Sequence, residues 1–150
     1  LENLYSPFET YFETINRTLE LRKGQKVHFE PGRALVAQCG FLISRVLYVK
    51  IGKGKKFAIL DAGMNDLIRP ALYGARHAVC NFTSASEKTE VYDVVGPVCE
   101  SADRFGLSVR LPETSRGDMV AICSAGAYGQ VMSMRYNQRE LAQAYYSPDL

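Results

Sequence analysis

The sequence predicts a mainly β domain, an antiparallel barrel or sandwich, preceded by a helix–strand unit of the kind that builds a (β/α)8 barrel. Three observations lead there. An amphipathic helix with a capping signal opens the chain and runs almost directly into a short strand. From Ala34 onward, short strand-like runs separated by polar turns replace the helical spacing. The chain has 150 residues, 47% of them hydrophobic, which suffices for one domain with its own core plus a piece of a second. The division is expected where the pattern changes, with residues 1–35 as the barrel remnant and 36–150 as the β domain.

The first helix is marked by Ser6 as N-cap, Pro7 at the first helical position and Glu9 closing a capping box. Phe8, Tyr11, Phe12, Ile15 and Leu19 recur at helical spacing and form one apolar stripe. Arg22 and Lys23 suit the negative end of the helix dipole, and Gly24 can close the helix. Lys26–Glu30 reads as a strand stopped by Pro31-Gly32. Further strands are expected over Phe41–Lys50, Phe57–Asp61, His77–Phe82, Glu90–Val95 and Met119–Cys123, with weaker alternation over Gly106–Leu111. Gly52-Lys53-Gly54 marks the turn between the first two of these. The polar tail from Ser133 could hold a terminal helix.

Charge and cysteine usage narrow the function. With 18 basic against 16 acidic residues, the net charge of +2 argues for neither nucleic acid nor an anionic membrane as a partner. The longest apolar runs, Phe41-Leu42-Ile43 and Phe57-Ala58-Ile59-Leu60, are too short to span a bilayer as a helix. No charged-then-apolar leader is visible, so the expected compartment is the cytoplasm. Cys39, Cys80, Cys99 and Cys123 form no CxxC pair and only two histidines accompany them, so no metal site is expected.

Four glycine- or proline-bounded clusters concentrate the residues that could carry chemistry. They are Glu30-Pro31-Gly32-Arg33, the run from Asp61 to Tyr73, the run from Gly96 to Asp103, and Ser124-Ala125-Gly126-Ala127-Tyr128-Gly129. Each has an ordinary reading when taken alone. Glu30 and Arg33 could be solvated turn residues, Gly32 a simple turn after proline, and Tyr128 an aromatic lid on the core. Arg69 and Tyr73, four apart, would share one face of a helical turn, where they could grip a carboxylate or merely pack and pair at the surface.

In this order and register, the clusters resemble the fold-type III pyridoxal-phosphate decarboxylases of basic amino acids. Leu67-Ile68-Arg69-Pro70-Ala71-Leu72-Tyr73 and the Cys99-Glu100 pair are most similar to the diaminopimelate branch of that family. The resemblance covers nearly the whole chain. It implies conversion of meso-2,6-diaminopimelate to L-lysine and CO2, with pyridoxal phosphate as cofactor. Glu30, Gly32, Arg33 and Tyr128 would then bind the cofactor. A carboxylate at Glu30 can pair with the pyridinium nitrogen, and Gly32 lets an anion approach the backbone. Arg33, Arg69, Tyr73, Glu100 and Tyr128 would bind substrate, Glu100 taking its distal amino group. Cys99 would be the catalytic acid, since a thiol can return a proton to the carbon that loses the carboxylate. The resemblance also implies a homodimer whose active site is shared across the interface.

Such an enzyme holds its cofactor through a lysine Schiff base. The lysines here are Lys23, Lys26, Lys50, Lys53, Lys55, Lys56 and Lys88, and none has the strand context the family uses. The chain is therefore expected to be part of a longer enzyme and inactive alone. Two alternatives are a sister decarboxylase acting on ornithine, arginine or carboxynorspermidine, and a non-catalytic regulatory homologue. A substrate with a distal carboxylate fits the substrate-end residues Arg69, Tyr73 and Glu100 better than ornithine or arginine does. Retention of every matching position disfavours the regulatory reading.

Overall fold

A computed structural model describes residues 7–147 other than Lys53. The expected cap at Ser6 lies outside the described residues. Helix α1 spans Phe8–Thr18 and stops well short of Gly24. Its last turns are rich in threonine, and the hydroxyls of Thr14 and Thr18 each donate to the carbonyl four residues back at 2.8 Å. Leu19 is already extended. Gly24, at φ +88°, instead shapes a separate turn in which Gln25 N donates to the Arg22 carbonyl at 3.0 Å. The amide of Arg22 donates in return to Gln25 Oε1 at 2.9 Å.

The strand expected at Lys26–Glu30 is not formed. The segment is extended but pairs with none of the six strands of the sheet. Strand-like sequence becomes a strand only beside a ladder partner. Phe29 packs edge-on against Phe12, with ring centroids 5.0 Å apart, and against Tyr11 at 6.5 Å. Helix α2 (Arg33–Val36) and a 3-10 turn, Ala37–Cys39, then lead into the sheet.

The sheet contains β1 (Leu42–Gly52), β2 (Lys55–Leu60), β3 (Val79–Asn81), β4 (Thr89–Val95), β5 (Arg104–Pro112) and β6 (Met119–Ile122). Their order is β3-β6-β1-β2-β4-β5. The two outer strands, β3 and β5, come back into contact, so the sheet curls into a nearly closed barrel. Side chains help close the seam. Asn81 Nδ2 donates to Thr114 Oγ1 at 3.0 Å, and Ser84 Oγ donates to the Glu113 carbonyl at 2.7 Å. Closure covers edges that would otherwise expose unpaired backbone groups.

Period-2 alternation sets what faces inward. In β1, Ser44 and Val46 are buried while Ile43, Arg45 and Leu47 are exposed. Val46, Leu60, Val94, Val120 and Ile122 are fully buried, with Tyr92, Leu67, Leu111 and Phe105 packed among them. Each such aliphatic side chain contributes roughly 1.5–3 kcal/mol on leaving water. Tyr92 keeps its hydroxyl satisfied inside this core. It donates to Glu90 and accepts from Thr114 N, both at 3.0 Å.

The mainly β, barrel-like architecture agrees with the sequence reading, with one addition. Four pairings are antiparallel, but β2 and β4 run parallel. A parallel pair requires a long crossover. Residues 61–88 supply it, and they carry helix α3 (Arg69–Tyr73) and β3. The weak alternation over Gly106–Leu111 also has a cause. Ser108 has φ +54°, its amide bonds to Asp93 Oδ1 at 2.8 Å, and the β4–β5 register shifts at Asp93. That bulge breaks the period.

The tail does not form a terminal helix among the described residues. It makes 3-10 turns at Gln130–Met132 and Tyr136–Gln138 and is otherwise irregular. Asn137 and Gln138 both adopt positive φ, which ends helical geometry. No described helix is long and apolar enough to cross a membrane.

Candidate functional site

The crossover leaves β2 through a loop braced by carboxylates. Asp61 Oδ1 accepts from Ser44 Oγ at 2.5 Å and from Arg45 N at 2.8 Å, and Ser44 Oγ accepts from Ala62 N at 3.0 Å. Asp66 Oδ2 accepts from Gly63 N at 2.8 Å. Burial pushes the Asp66 carboxyl above its ordinary value, opposed by the Gly63 amide and the charge of Arg139. This braced loop delivers α3, which has proline in its first turn and the left-handed Gly74 as its C-cap.

On α3 the guanidinium of Arg69 lies 5.4 Å from the ring centroid of Tyr73 and 5.6 Å from that of Tyr128. An arginine stacked on two aromatic rings loses side-chain freedom while its N–H edge stays available to an acceptor. Tyr128 arrives from the loop after β6 with φ +63° and remains half exposed. A bulky residue at positive φ is held there by its surroundings at a cost. The constraint is visible next door. Gly126 packs so closely on the segment after α2 that a Cβ would lie 2.1 Å from the Val36 carbonyl. Ala125 N donates to the Gly40 carbonyl at 2.8 Å and Gly126 N to that of Ala37 at 2.9 Å. The Tyr128 loop is thereby tied to the segment that begins at Arg33.

Cys99 and Glu100 occupy an exposed loop between β4 and β5. Asp103 organises it. Its carboxylate accepts from Val98 N at 2.6 Å and, across the chain, from Met64 N at 2.7 Å. Backbone bonds from Glu100 N to the Val98 carbonyl (2.8 Å) and from Asp103 N to the Glu100 carbonyl (3.1 Å) complete the turn. Burial raises the Asp103 carboxyl above its ordinary value, against the pull of the two amides. The hydroxyl of Tyr136 donates to Glu100 Oε1 at 2.5 Å.

Glu30, Gly32 and Arg33 form a third group. All are exposed, and Glu30 borders an open, largely apolar groove of about 570 Å³ that Phe8, Tyr11, Phe12, Phe29 and Ala34 also line. Gly32 has φ +44°, and beyond the Glu30 carbonyl at 3.9 Å nothing stands where a Cβ would project. The structure thus brings Arg69, Tyr73 and Tyr128 together, keeps Cys99 with Glu100, and leaves Glu30, Gly32 and Arg33 on a third segment. Among the described residues, no hydrogen bond or ion pair joins the three groups directly. The described residues also contain no cluster of three or more potential metal ligands.

Sequence reasoning missed the residues that brace these groups. Asp103 lay inside a noted cluster, and an aspartate at a glycine–proline loop is a common backbone staple, so it could have been singled out. Tyr136 and Arg139 offered no such signal. The Arg139 guanidinium donates to the Asp61 carbonyl, 78 residues away, and its charge faces Asp66 and Asp103.

Residues 5–126 match the family model for the C-terminal sheet domain of the pyridoxal-dependent decarboxylases. A diaminopimelate decarboxylase of Bacteroides thetaiotaomicron is 59% identical over 143 residues, covering 95% of this chain and 37% of the relative. The crystal structure of diaminopimelate decarboxylase from Helicobacter pylori complexed with L-lysine is 51% identical, with a TM-score of 0.68. It covers 75% of this chain and 28% of that one. A lysine/ornithine decarboxylase from Vibrio vulnificus complexed with cadaverine is 23% identical. Its TM-score of 0.82, over 96% of this chain and 40% of that one, shows the shared fold alone. The chain spans roughly a third of the length of the relatives it matches. With most of its length matched by the family model, the chain belongs to the pyridoxal-dependent decarboxylases and comprises their C-terminal sheet domain.

Proposed function

We propose that this chain supplies the substrate-recognising and proton-donating part of a cytoplasmic diaminopimelate decarboxylase, which converts meso-2,6-diaminopimelate to L-lysine and CO2. The observation that carries the reading is the placement of the Arg69 guanidinium over the rings of both Tyr73 and Tyr128. It leaves a rigid, aromatic-backed guanidinium edge suited to the distal carboxylate that diaminopimelate has and ornithine and arginine lack. The names of the relatives at 59% and 51% identity support the same substrate. In this reading residues 1–35 complete the barrel of the parent enzyme, and 36–150 form the sheet domain.

The residues present fit pyridoxal phosphate in part. Gly32 offers backbone that an anion can approach, and Glu30, Arg33 and Tyr128 are exposed. These four would hold the cofactor, which when bound supplies an electron sink for the pair left as the carboxylate departs. Among the described residues, no lysine is placed to anchor it. Lys55, Lys56 and Lys88 are engaged with Asp93, Glu90 and Glu113, while Lys23, Lys26 and Lys50 are exposed on the surface.

The chain's own residues then divide the work. Arg33, Arg69, Tyr73 and Tyr128 bind and orient the substrate, and Glu100 accepts from its distal ammonium. Cys99 Sγ gives its proton to the carbon that lost CO2. Cys99 and Glu100 serve the active site of a second subunit in a homodimer, consistent with their exposed loop. The test is CO2 release by the full-length enzyme with pyridoxal phosphate on meso-diaminopimelate, ornithine and arginine. Release from diaminopimelate alone supports the reading, and release only from the other two would overturn the substrate.

A further inference from the structure

The tail beyond β6 crosses the molecule and touches both site loops. Met134 N donates to the Asn65 carbonyl at 2.9 Å, and the Arg139 guanidinium donates to the Asp61 carbonyl. Both anchors lie on the crossover loop that delivers Arg69 and Tyr73. Between them, the Tyr136 hydroxyl reaches Glu100 Oε1 at 2.5 Å on the other loop. We propose that Tyr136 is a positioning residue, clamping the Glu100 carboxylate in the orientation that receives the substrate's distal ammonium and setting its place relative to the Arg69 loop.

Three features support this. Glu100 is an exposed side chain with several rotatable bonds, and Tyr136 is the side chain that hydrogen-bonds its carboxylate among the described residues. A charge-assisted bond to a carboxylate is among the stronger single restraints available. Asn137 and Gln138 follow Tyr136 at φ +55° and +57°. Two successive non-glycine residues in the left-handed region persist only where flanking contacts hold them, and here the anchors at Met134 and Arg139 do so. Finally, the phenol stays a donor. The hydrogen bond and negative charge of Glu100 hold its proton above the ordinary tyrosine value, with small additions from burial and from Cys99.

The inference rests on the proposed role of Glu100 in binding substrate, and the two can fail separately. In the full-length holoenzyme, Tyr136→Phe should raise KM for meso-diaminopimelate about tenfold, with kcat within about twofold, as expected for a lost hydrogen bond to a charged group. In a Glu100→Gln background the same change should add little, since the two side chains act as one unit. In enzyme carrying carbon-labelled tyrosine, the Tyr136 resonance should titrate above the ordinary range and fall back toward it in Glu100→Gln. If Glu100→Gln raises KM but Tyr136→Phe leaves it unchanged, the clamp is wrong and the role of Glu100 stands. If Glu100→Gln leaves KM unchanged, both are wrong. If Tyr136→Phe lowers kcat and KM equally in either background, or if the Tyr136 titration ignores Glu100, Tyr136 is not a clamp on this carboxylate.

Discussion

At the scale of single residues, the site depends on planar and charged groups held by their neighbours. In the proposed role, Arg69 works through a guanidinium set over the rings of Tyr73 and Tyr128 and through the planar fork it offers an acceptor. Arg69→Lys keeps the charge and loses both. We expect a loss of at least about tenfold in kcat/KM for diaminopimelate in the full-length enzyme, carried mainly by KM, with little change in Tm. Asp103 is a different case, because its carboxylate serves the backbone. Asp103→Ala leaves the amides of Val98 and Met64 without their acceptor. Unfolding in urea should show a loss of about 2–3 kcal/mol, and the Cys99–Glu100 loop should become more susceptible to protease. An unchanged midpoint would mean that water replaces the carboxylate at both amides.

Elements differ in how firmly they are held. Helix α1 has no buried residue, and its aromatic stripe meets this chain chiefly through Phe29. In the chain by itself, the amides of α1 should therefore exchange with solvent far faster than those of β4, which lies between two strands and carries the fully buried Val94. Strong protection of α1 in a proven monomer would show an anchoring contact beyond those the described residues make. The joint between the Tyr128 loop and the segment after α2 is at the opposite extreme. Gly126→Ala would drive a methyl group into the Val36 carbonyl and the Gly40 amide. The cost should be about 1–3 kcal/mol, read as a lower unfolding midpoint.

For the whole molecule, acid stability is the informative property. The ammonium groups of Lys56 and Lys88 and the Tyr92 hydroxyl hold the Glu90 carboxyl at about 2, below its ordinary 4.5. A depressed value in the folded state means stability that is present above about pH 4.5 and lost as the pH falls toward 2. Asp93 acts in the same direction, through the Ser108 amide and Lys55. Asp66 and Asp103 act oppositely. Burial raises both, so their contribution favours the fold below the ordinary carboxylate value and fades as the pH rises through their folded values. Glu90→Gln should consequently flatten the fall in stability between pH 5 and pH 2, measured by urea unfolding across that range. Added salt should diminish the difference between the two proteins, because the pair sits near the surface. An equally steep fall in both would assign the acid sensitivity to other groups. The chain alone, mixed with pyridoxal phosphate and diaminopimelate, should release no CO2, because its described lysines are paired or exposed on the surface rather than set to anchor a cofactor.

What the sequence by itself determined is local. Period-2 runs and glycine turns specify the strands, because a one-residue slip would turn Ser44 and Val46 outward and Ile43 and Leu47 inward. The spacing of Arg69 and Tyr73 specifies their shared helical face for the same reason: four residues make about one turn. Misreadings occurred where a non-local contact decides. Lys26–Glu30 has strand-like sequence but no ladder partner among the described residues, and the bulge at Asp93 and Ser108 hid the period of β5. Only the tertiary structure could set β2 beside β4 in parallel, stack Tyr128 on Arg69 across 59 positions (128 minus 69), and bring Tyr136 to Glu100. Backbone propensity and alternation act over a few residues and leave a pattern in the chain. Contacts between distant side chains form only once the barrel has closed, and a single tyrosine or arginine in a polar tail carries no periodic trace of where it will land.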